Sequence, residues 1–388
     1  MVMQGRVAFI IATLLLAACS TAPKQLQAPT LPHSDLFVHA QITVPDEHDI
    51  FRLTAEQKQE FLGYFHAAEH QDISPRERLY NFLSLRTAGF DYQGKNHTAS
   101  QAYALNSGNC ISLAVLTKAL ADVAGVGIKF QNIISAPVFN LQGDYLVSSD
   151  HVRTFLFDSE FVRKKGNEYF LQPMLVIDYL PSSGDITGPH ISEQRFIAMF
   201  YRNLATDAVL NKQYDYALAL LKQALKFDPT YGAVINLTAV IHRRLNEAEL
   251  ASQFYQYGLQ VSERKAALAG NYAVLKQLNG DSEGANQLLG QLLTLQHEND
   301  PYLWYLLAKT AEQQQRFDDA VIYFNKAVQR APYVHQLYLE LALAQYRNQQ
   351  PERARDTLAK AAELVSEKPT QLRYYAKLEA LKLSTAAN

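Results

Sequence analysis

From Tyr201 onward the chain repeats itself, and this constrains its fold more than anything else in it. Tyr201, Leu204, Ala205, Ala208, Tyr214, Ala217, Leu221, Ala224 and Pro229 set a pattern of large and small residues. Thirty-four residues later come Ile235, Thr238, Ala239, Ala251, Tyr255 and Gly258, and thirty-four beyond those Ala269, Tyr272, Ala273, Ala285 and Leu289. After one extra residue the pattern returns most fully as Trp304, Leu307, Ala308, Ala311, Phe317, Ala320, Phe324, Ala327 and Pro332. Tyr338, Leu341, Ala342, Ala354, Leu358 and Ala361 complete a fifth unit. Small residues recur where two helices must approach closely, and large ones where they interlock. One such unit cannot bury its apolar face alone, so neighbours must stack into an array. Residues 197–367 are therefore expected to form about five helical pairs. Residues 368–388 follow as a capping helix, centred on Leu372 to Leu383, and a tail.

These positions resemble the tetratricopeptide (TPR) repeat family. The resemblance implies an all-α superhelical solenoid whose concave face, built mainly by the first helix of each pair, holds a protein or peptide partner. Asn203, Asn236, His242, Asn271 and Tyr305 are the candidates for that face. Each could equally be an ordinary polar surface position.

The first half is organised around Asn106-Ser107-Gly108-Asn109-Cys110-Ile111-Ser112-Leu113-Ala114. A small Ser-Gly turn delivers a lone cysteine to a run of good helix formers, Ile111 to Ala124, that Gly125 stops. A cysteine at a helix N-terminus faces unpaired N–H groups and the positive end of the dipole, which favour the nucleophilic thiolate. Buried cysteines also serve as small hydrophobes, and the stretch alone leaves both readings open.

Upstream, Thr54 to Gln57 has capping-box spacing and opens a helix to about Ala68. Ser74-Pro75 starts a second helix that stops near Gly89, and Thr98 to Leu105 makes a short helical turn. Downstream, Val126–Ala136, Tyr145–Phe157 and Tyr169–Tyr179 read as strands, so an α+β domain is expected over 46–183, with 184–196 as a linker. Two polar residues interrupt the strands, His151 and Asp178. A cysteine, a histidine and a carboxylate suit the roles of nucleophile, general base and the group that orients the base. Singly, each is equally well a structural residue.

The N-terminus places Arg6 before an apolar run from Val7 to Leu16, too short to span a bilayer, and ends it with Leu16-Ala17-Ala18-Cys19. This resembles a bacterial lipobox, which implies a signal peptide at 1–18, lipidation (palmitate included) of Cys19 and a tether over 19–45. Ser20 after the cysteine resembles outer-membrane sorting, with the protein facing the periplasm. Only Cys19 and Cys110 exist. With Cys19 acylated, Cys110 is left as a reactive thiol or an intermolecular link. The net charge of −2 and scattered basic residues give no footprint for nucleic acid. No metal-ligand spacing or phosphate-cradling glycine loop appears, so neither metal nor cofactor is expected.

Gly108-Asn109-Cys110 with its apolar helix, Gly125-Val126-Gly127-Ile128, His151 opening a strand and Asp178 closing another together resemble the transglutaminase-like superfamily over about Ser74 to Pro181. Phe90-Asp91-Tyr92 and the Thr98–Leu105 turn fit as well. The resemblance implies a papain-like α+β core with Cys110 as nucleophile, His151 as base and Asp178 as orienter, acting as a protease or amidase on peptide-like bonds. The charged insert Arg163-Lys164-Lys165-Gly166-Asn167-Glu168 departs from the pattern, and no oxyanion donor is evident beyond the Cys110 N–H. His97 and His190 read as loop surface residues, with His190 also placed to line a cleft. Two functions stay open: a cysteine enzyme whose repeats recruit the substrate, and a non-catalytic scaffold lipoprotein that assembles an envelope complex.

Overall fold

The computed structural model describes residues 29–38, 42–92, 94–134, 139–142, 145–148, 151–159, 172–179, 186–294, 301–365 and 368–386. The expected signal peptide at 1–18, the expected lipidation site Cys19 and the insert Arg163–Glu168 lie outside the described residues.

Helices come first. α1 (Glu47–Phe51), α2 (Ala55–Phe65), α3 (Pro75–Arg86) and α4 (Ala99–Leu105) lead into α5 (Cys110–Ala124). The capping box at Thr54 forms: Gln57 N donates to Thr54 Oγ1 at 3.2 Å, and Thr54 N donates to Gln57 Oε1 at 2.9 Å. Every residue of α5 from Cys110 to Ala121 is buried. This explains its lack of a polar face, because a helix apolar all round belongs inside. Gly125 ends α5 at φ 67, the left-handed cap its sequence foretold.

The sheet is small, antiparallel and four-stranded, in the order β5-β4-β1-β6. Its strands are β1 (Val126–Ile134), β4 (His151–Asp158), β5 (Met174–Asp178) and β6 (Ile186–Ile191), while β2 (Phe139–Gln142) and β3 (Tyr145–Ser148) form a separate hairpin. The expected single strand Tyr145–Phe157 is thus two. Its first part pairs locally with β2, and its second pairs with β1 from Ile133↔His151 to Val126↔Asp158.

The stretch 184–196, expected to be a linker, carries β6. Pro189, which lacks an N–H, is tolerated because β6 is an edge strand. Gly188 lies so close to the backbone of β1 that a Cβ there would stand 2.6 Å from the Asn132 carbonyl oxygen. Turn-like composition here reflects a bulged edge, where β1 and β6 shift register.

α6 (Glu193–Leu210) follows directly, earlier than the expected start at 197, and pairs with α7 (Tyr214–Phe227). Four further pairs continue: α8 (Gly232–Arg244) with α9 (Ala248–Val261), α10 (Ala266–Leu278) with α11 (Ser282–Thr294), α12 (Pro301–Gln313) with α13 (Phe317–Arg330), and α14 (His335–Arg347) with α15 (Pro351–Leu364). Each intra-pair turn holds one residue at positive φ: Lys212, Asn246, Gly280, Gln315 and Gln349. The next residue's N–H then reaches back to the preceding helix, as Gln213 does to the Ala208 carbonyl at 2.8 Å and Glu247 to that of His242 at 2.8 Å. The period of the sequence is thus a period of the backbone. α16 (Lys368–Ala386) buries Tyr374 and Leu378 against Ala342, Leu358 and Ala361.

The segment 19–45, expected to be a tether, is packed where it is described from Leu31. Ser34 is fully buried and bonds through its hydroxyl to His242 Nε2 at 2.8 Å. The ring of Phe37 stands edge-on to His242 and Phe254, and its carbonyl accepts from Lys222 Nζ at 3.0 Å. Tyr201 donates to the Pro45 carbonyl at 2.8 Å. Leu31, Leu36, Phe37 and Val44 gain an apolar surface that composition alone does not reveal.

Candidate functional site

Cys110 is the first residue of α5 and is buried. Asn109 caps the helix, its Oδ1 accepting from Ser112 N at 2.9 Å, while its Nδ2 donates to Asn96 Oδ1 at 2.8 Å. The Ser112 hydroxyl accepts from His97 N at 2.8 Å and donates to the Lys95 carbonyl at 3.2 Å. The loop before α4 is therefore tied to the first turn of α5. Asn106 at φ 47 and Gly108 at φ 145 bend the chain into this turn. A Cβ on Gly108 would meet Ser112 Cβ at 2.7 Å, so glycine is required there on both counts. His97, expected at the surface, is half-buried beside Gly108. Burial pushes its imidazole pKa below the ordinary value, with Lys95 adding to the shift.

Asp91, between Phe90 and Tyr92, pairs with the same turn, its N–H donating to the Asn106 carbonyl at 2.9 Å and its carbonyl accepting from Gly108 N at 3.0 Å. Tyr92 then donates its hydroxyl to the Tyr179 carbonyl at 2.9 Å. Desolvation of its hydroxyl raises the Tyr92 pKa although the residue is exposed, and the neighbouring Cys110 adds to the shift. Cys110 also acts on the buried hydroxyl of Tyr179, whose pKa is raised chiefly by burial. Tyr179 bonds through that hydroxyl to Thr154 Oγ1 and Thr117 Oγ1, both at 2.8 Å. Tyr179, just past the end of β5, thereby ties the middle of α5 to β4.

His151 and Asp178, twenty-seven positions apart, are brought into contact. His151 Nε2 lies 2.9 Å from Asp178 Oδ1. The side chains are 8% and 16% exposed, so the bond is largely shielded from water. The second carboxylate oxygen, Oδ2, accepts from Arg153 Nε at 3.0 Å and from Arg153 Nη2 at 2.5 Å. Burial alone would raise the Asp178 pKa, but the bonds from His151 and Arg153 outweigh it and hold the carboxyl below its usual value. Arg153 is not singled out by the sequence alone. The available signal was a cation two positions after His151 in an alternating apolar strand, and the register Arg153↔Asp178 that makes it meaningful exists only in the sheet.

Such a set can do acid–base chemistry. A carboxylate that accepts the Nε2 proton fixes the imidazole tautomer and leaves Nδ1 as the basic nitrogen. His190, the other spare histidine, lies on β6 with its ring against Phe155 and Nδ1 3.3 Å from the Phe130 carbonyl oxygen. Among the described residues, the donor atoms of Asp46, His48 and Asp49 fall within 4.8 Å of one another. Those two carboxylates are engaged in the capping box of α1.

On the repeats, Asn236 and Asn271 meet across α8 and α10, with Asn271 Nδ2 donating to Asn236 Oδ1 at 2.9 Å. Asn203 accepts from Arg202 Nη1 at 3.0 Å, and half-buried Tyr305 stands edge-on to Phe324. His242, expected to face a partner, is fully buried: Nδ1 bonds to the Thr238 carbonyl at 2.8 Å and Nε2 holds Ser34. It serves the chain's own N-terminal segment.

The tetratricopeptide repeat family matches residues 279–335. The matched stretch runs from the end of α10 to the start of α14 within the five helix pairs, and TPR repeats generally bind protein or peptide partners. Among solved structures, pilF of Pseudomonas aeruginosa is 19% identical, the alignment covering 50% of this chain and 88% of that one at a TM-score of 0.40. YrrB, described as a TPR protein with an unusual peptide-binding site, is 16% identical over 46% of this chain and 92% of that one, with a TM-score of 0.32. MamA of Desulfovibrio magneticus RS-1 is 16% identical over 45% and 96%, with a TM-score of 0.33. No curated protein matches the chain by sequence.

Proposed function

We propose that this is an envelope lipoprotein with a transglutaminase-like cysteine protease or amidase site, whose TPR repeats recruit the substrate or partner. The observation that carries the reading is the shielded His151–Asp178 bond, with a buried cysteine at the start of the helix bound to the same strand end. The Cys110 thiol gives its proton to His151 Nδ1, and the thiolate adds to an amide carbonyl carbon. The imidazolium then returns the proton to the leaving amine as the C–N bond breaks, leaving a thioester. Water deprotonated by His151 attacks the thioester, releasing the acid and restoring the thiol. The first N–H groups of α5 and its dipole favour both the thiolate and the developing oxyanion. Cys19, acylated, would hold the protein at the outer membrane facing the periplasm, a localisation that rests on the signal-like N-terminus alone.

The test is the pH dependence of Cys110 alkylation by iodoacetamide in the wild type and in His151→Ala. A thiol titrating well below the usual value of about 8.5, with the depression lost in the variant, supports the site. An ordinary titration in both proteins sinks it. The TPR array favours a second reading, a non-catalytic scaffold for an envelope complex. That reading requires Cys110→Ala to leave partner binding and cellular phenotype intact.

A further inference from the structure

The carboxylate of Asp178 is gripped from two sides. Asp178 Oδ1 meets His151 Nε2, while Oδ2 receives a two-pronged bond from Arg153 through Nε and Nη2. We infer that Arg153 is a positioning residue of the site: its guanidinium fixes the plane and ionisation of Asp178, and so locks His151 in the tautomer that leaves Nδ1 as the base. This rests on the catalytic reading of Cys110, His151 and Asp178 given above.

Among the described residues, the hydrogen bonds of the Arg153 guanidinium go to Asp178. Arg153 stands directly across from Asp178 in the β4–β5 register, and its side chain is 23% exposed. A planar fork matched to one carboxylate oxygen restricts rotation of the carboxyl group about its Cβ–Cγ bond. Without it, Asp178 can turn, protonate or take water, and the imidazole can flip or change tautomer. Lysine keeps the charge but has no fork, so it can restore ionisation while leaving orientation loose. Among the described residues, the other titratable groups at this place are His151 on β4, Cys110 on α5, and the phenols of Tyr92 and Tyr179.

The experiment compares full-length wild type, Arg153→Gln, Arg153→Lys and Asp178→Asn, each checked for native circular dichroism. Two readouts are taken: the rate and pH profile of Cys110 alkylation by iodoacetamide, and the imidazole nitrogen shifts of His151 after selective 15N-histidine labelling. Arg153→Gln is expected to lower the alkylation rate at neutral pH roughly 10- to 100-fold, the size of effect seen when an outer partner of a site residue is removed. It should also shift the acid limb of the profile upward and mix the His151 tautomers. Asp178→Asn should match or exceed it, and Arg153→Lys should fall between. A folded Arg153→Gln protein with wild-type profile and a single wild-type tautomer overturns the inference. An inert wild-type thiol, indifferent to His151→Ala, sinks the catalytic reading instead. In that case the nitrogen shifts still decide whether Arg153 locks His151.

Discussion

Gly108 shows how much one residue can hold at this site. It lies at φ 145, and an added Cβ would press on Ser112, the residue that stitches the loop at Lys95 and His97 to α5. Gly108→Ala is expected to cost about 1–3 kcal/mol and to slow Cys110 alkylation, measured by urea titration and labelling of the same protein. Asp178 makes a prediction in pH. Its folded-state pKa lies below the unfolded one, so its stabilising contribution is present above the ordinary carboxylate range. That contribution is lost as pH falls through the depressed value. The urea midpoint of the wild type should therefore fall more steeply on acidification than that of Asp178→Asn. Equal slopes would mean that the carboxylate gains nothing from its two partners.

At the scale of elements, the joint between sheet and repeats is made by side chains, not by a linker. Phe130 of β1 stacks on Phe196 of α6 with centroids 4.0 Å apart, and Phe196 also stacks on Phe51 of α1. Lys118 of α5 bridges to Glu193 at the start of α6 at 2.9 Å, and Asn96 donates to Asp207 of α6 at 2.9 Å. The first repeat helix thus belongs to both halves. Phe196→Ala is expected to cost about 3–5 kcal/mol and to shift sheet and first-repeat signals together in one denaturation curve. If only the repeat signal moved, the joint would be no more than a contact.

Across the whole molecule, one apolar cluster runs from Ile50 through α5 and the sheet to Leu275, while separate clusters serve the later repeats and the cap. Stacked repeats depend mainly on their neighbours, so the far end can open without the near end. Hydrogen exchange in α12–α16 should accordingly be faster than in α5–α9. Uniform protection would contradict this division. The N-terminal segment adds to the near end: Ser34→Ala leaves the buried His242 Nε2 without its hydroxyl and should cost about 1–3 kcal/mol by urea titration.

The sequence by itself determined what is local or periodic. It contained the helical repeats, because helix pairs must place small and large residues at a fixed spacing. It contained α2 to α5 with their caps, because a capping box or a left-handed glycine acts within a few residues. It also singled out Cys110, His151 and Asp178 by type and order. What joins distant segments was decided by the tertiary structure. Only the sheet register sets Arg153 against Asp178 and makes the Gly-Pro stretch at Ile186–Ile191 an edge strand. Only packing turns part of a Pro- and Thr-rich tether into a buried strap that takes His242 away from the partner face. Hydrogen bonds of that kind depend on which strands and helices become neighbours, and composition and spacing do not encode neighbourhood one segment at a time.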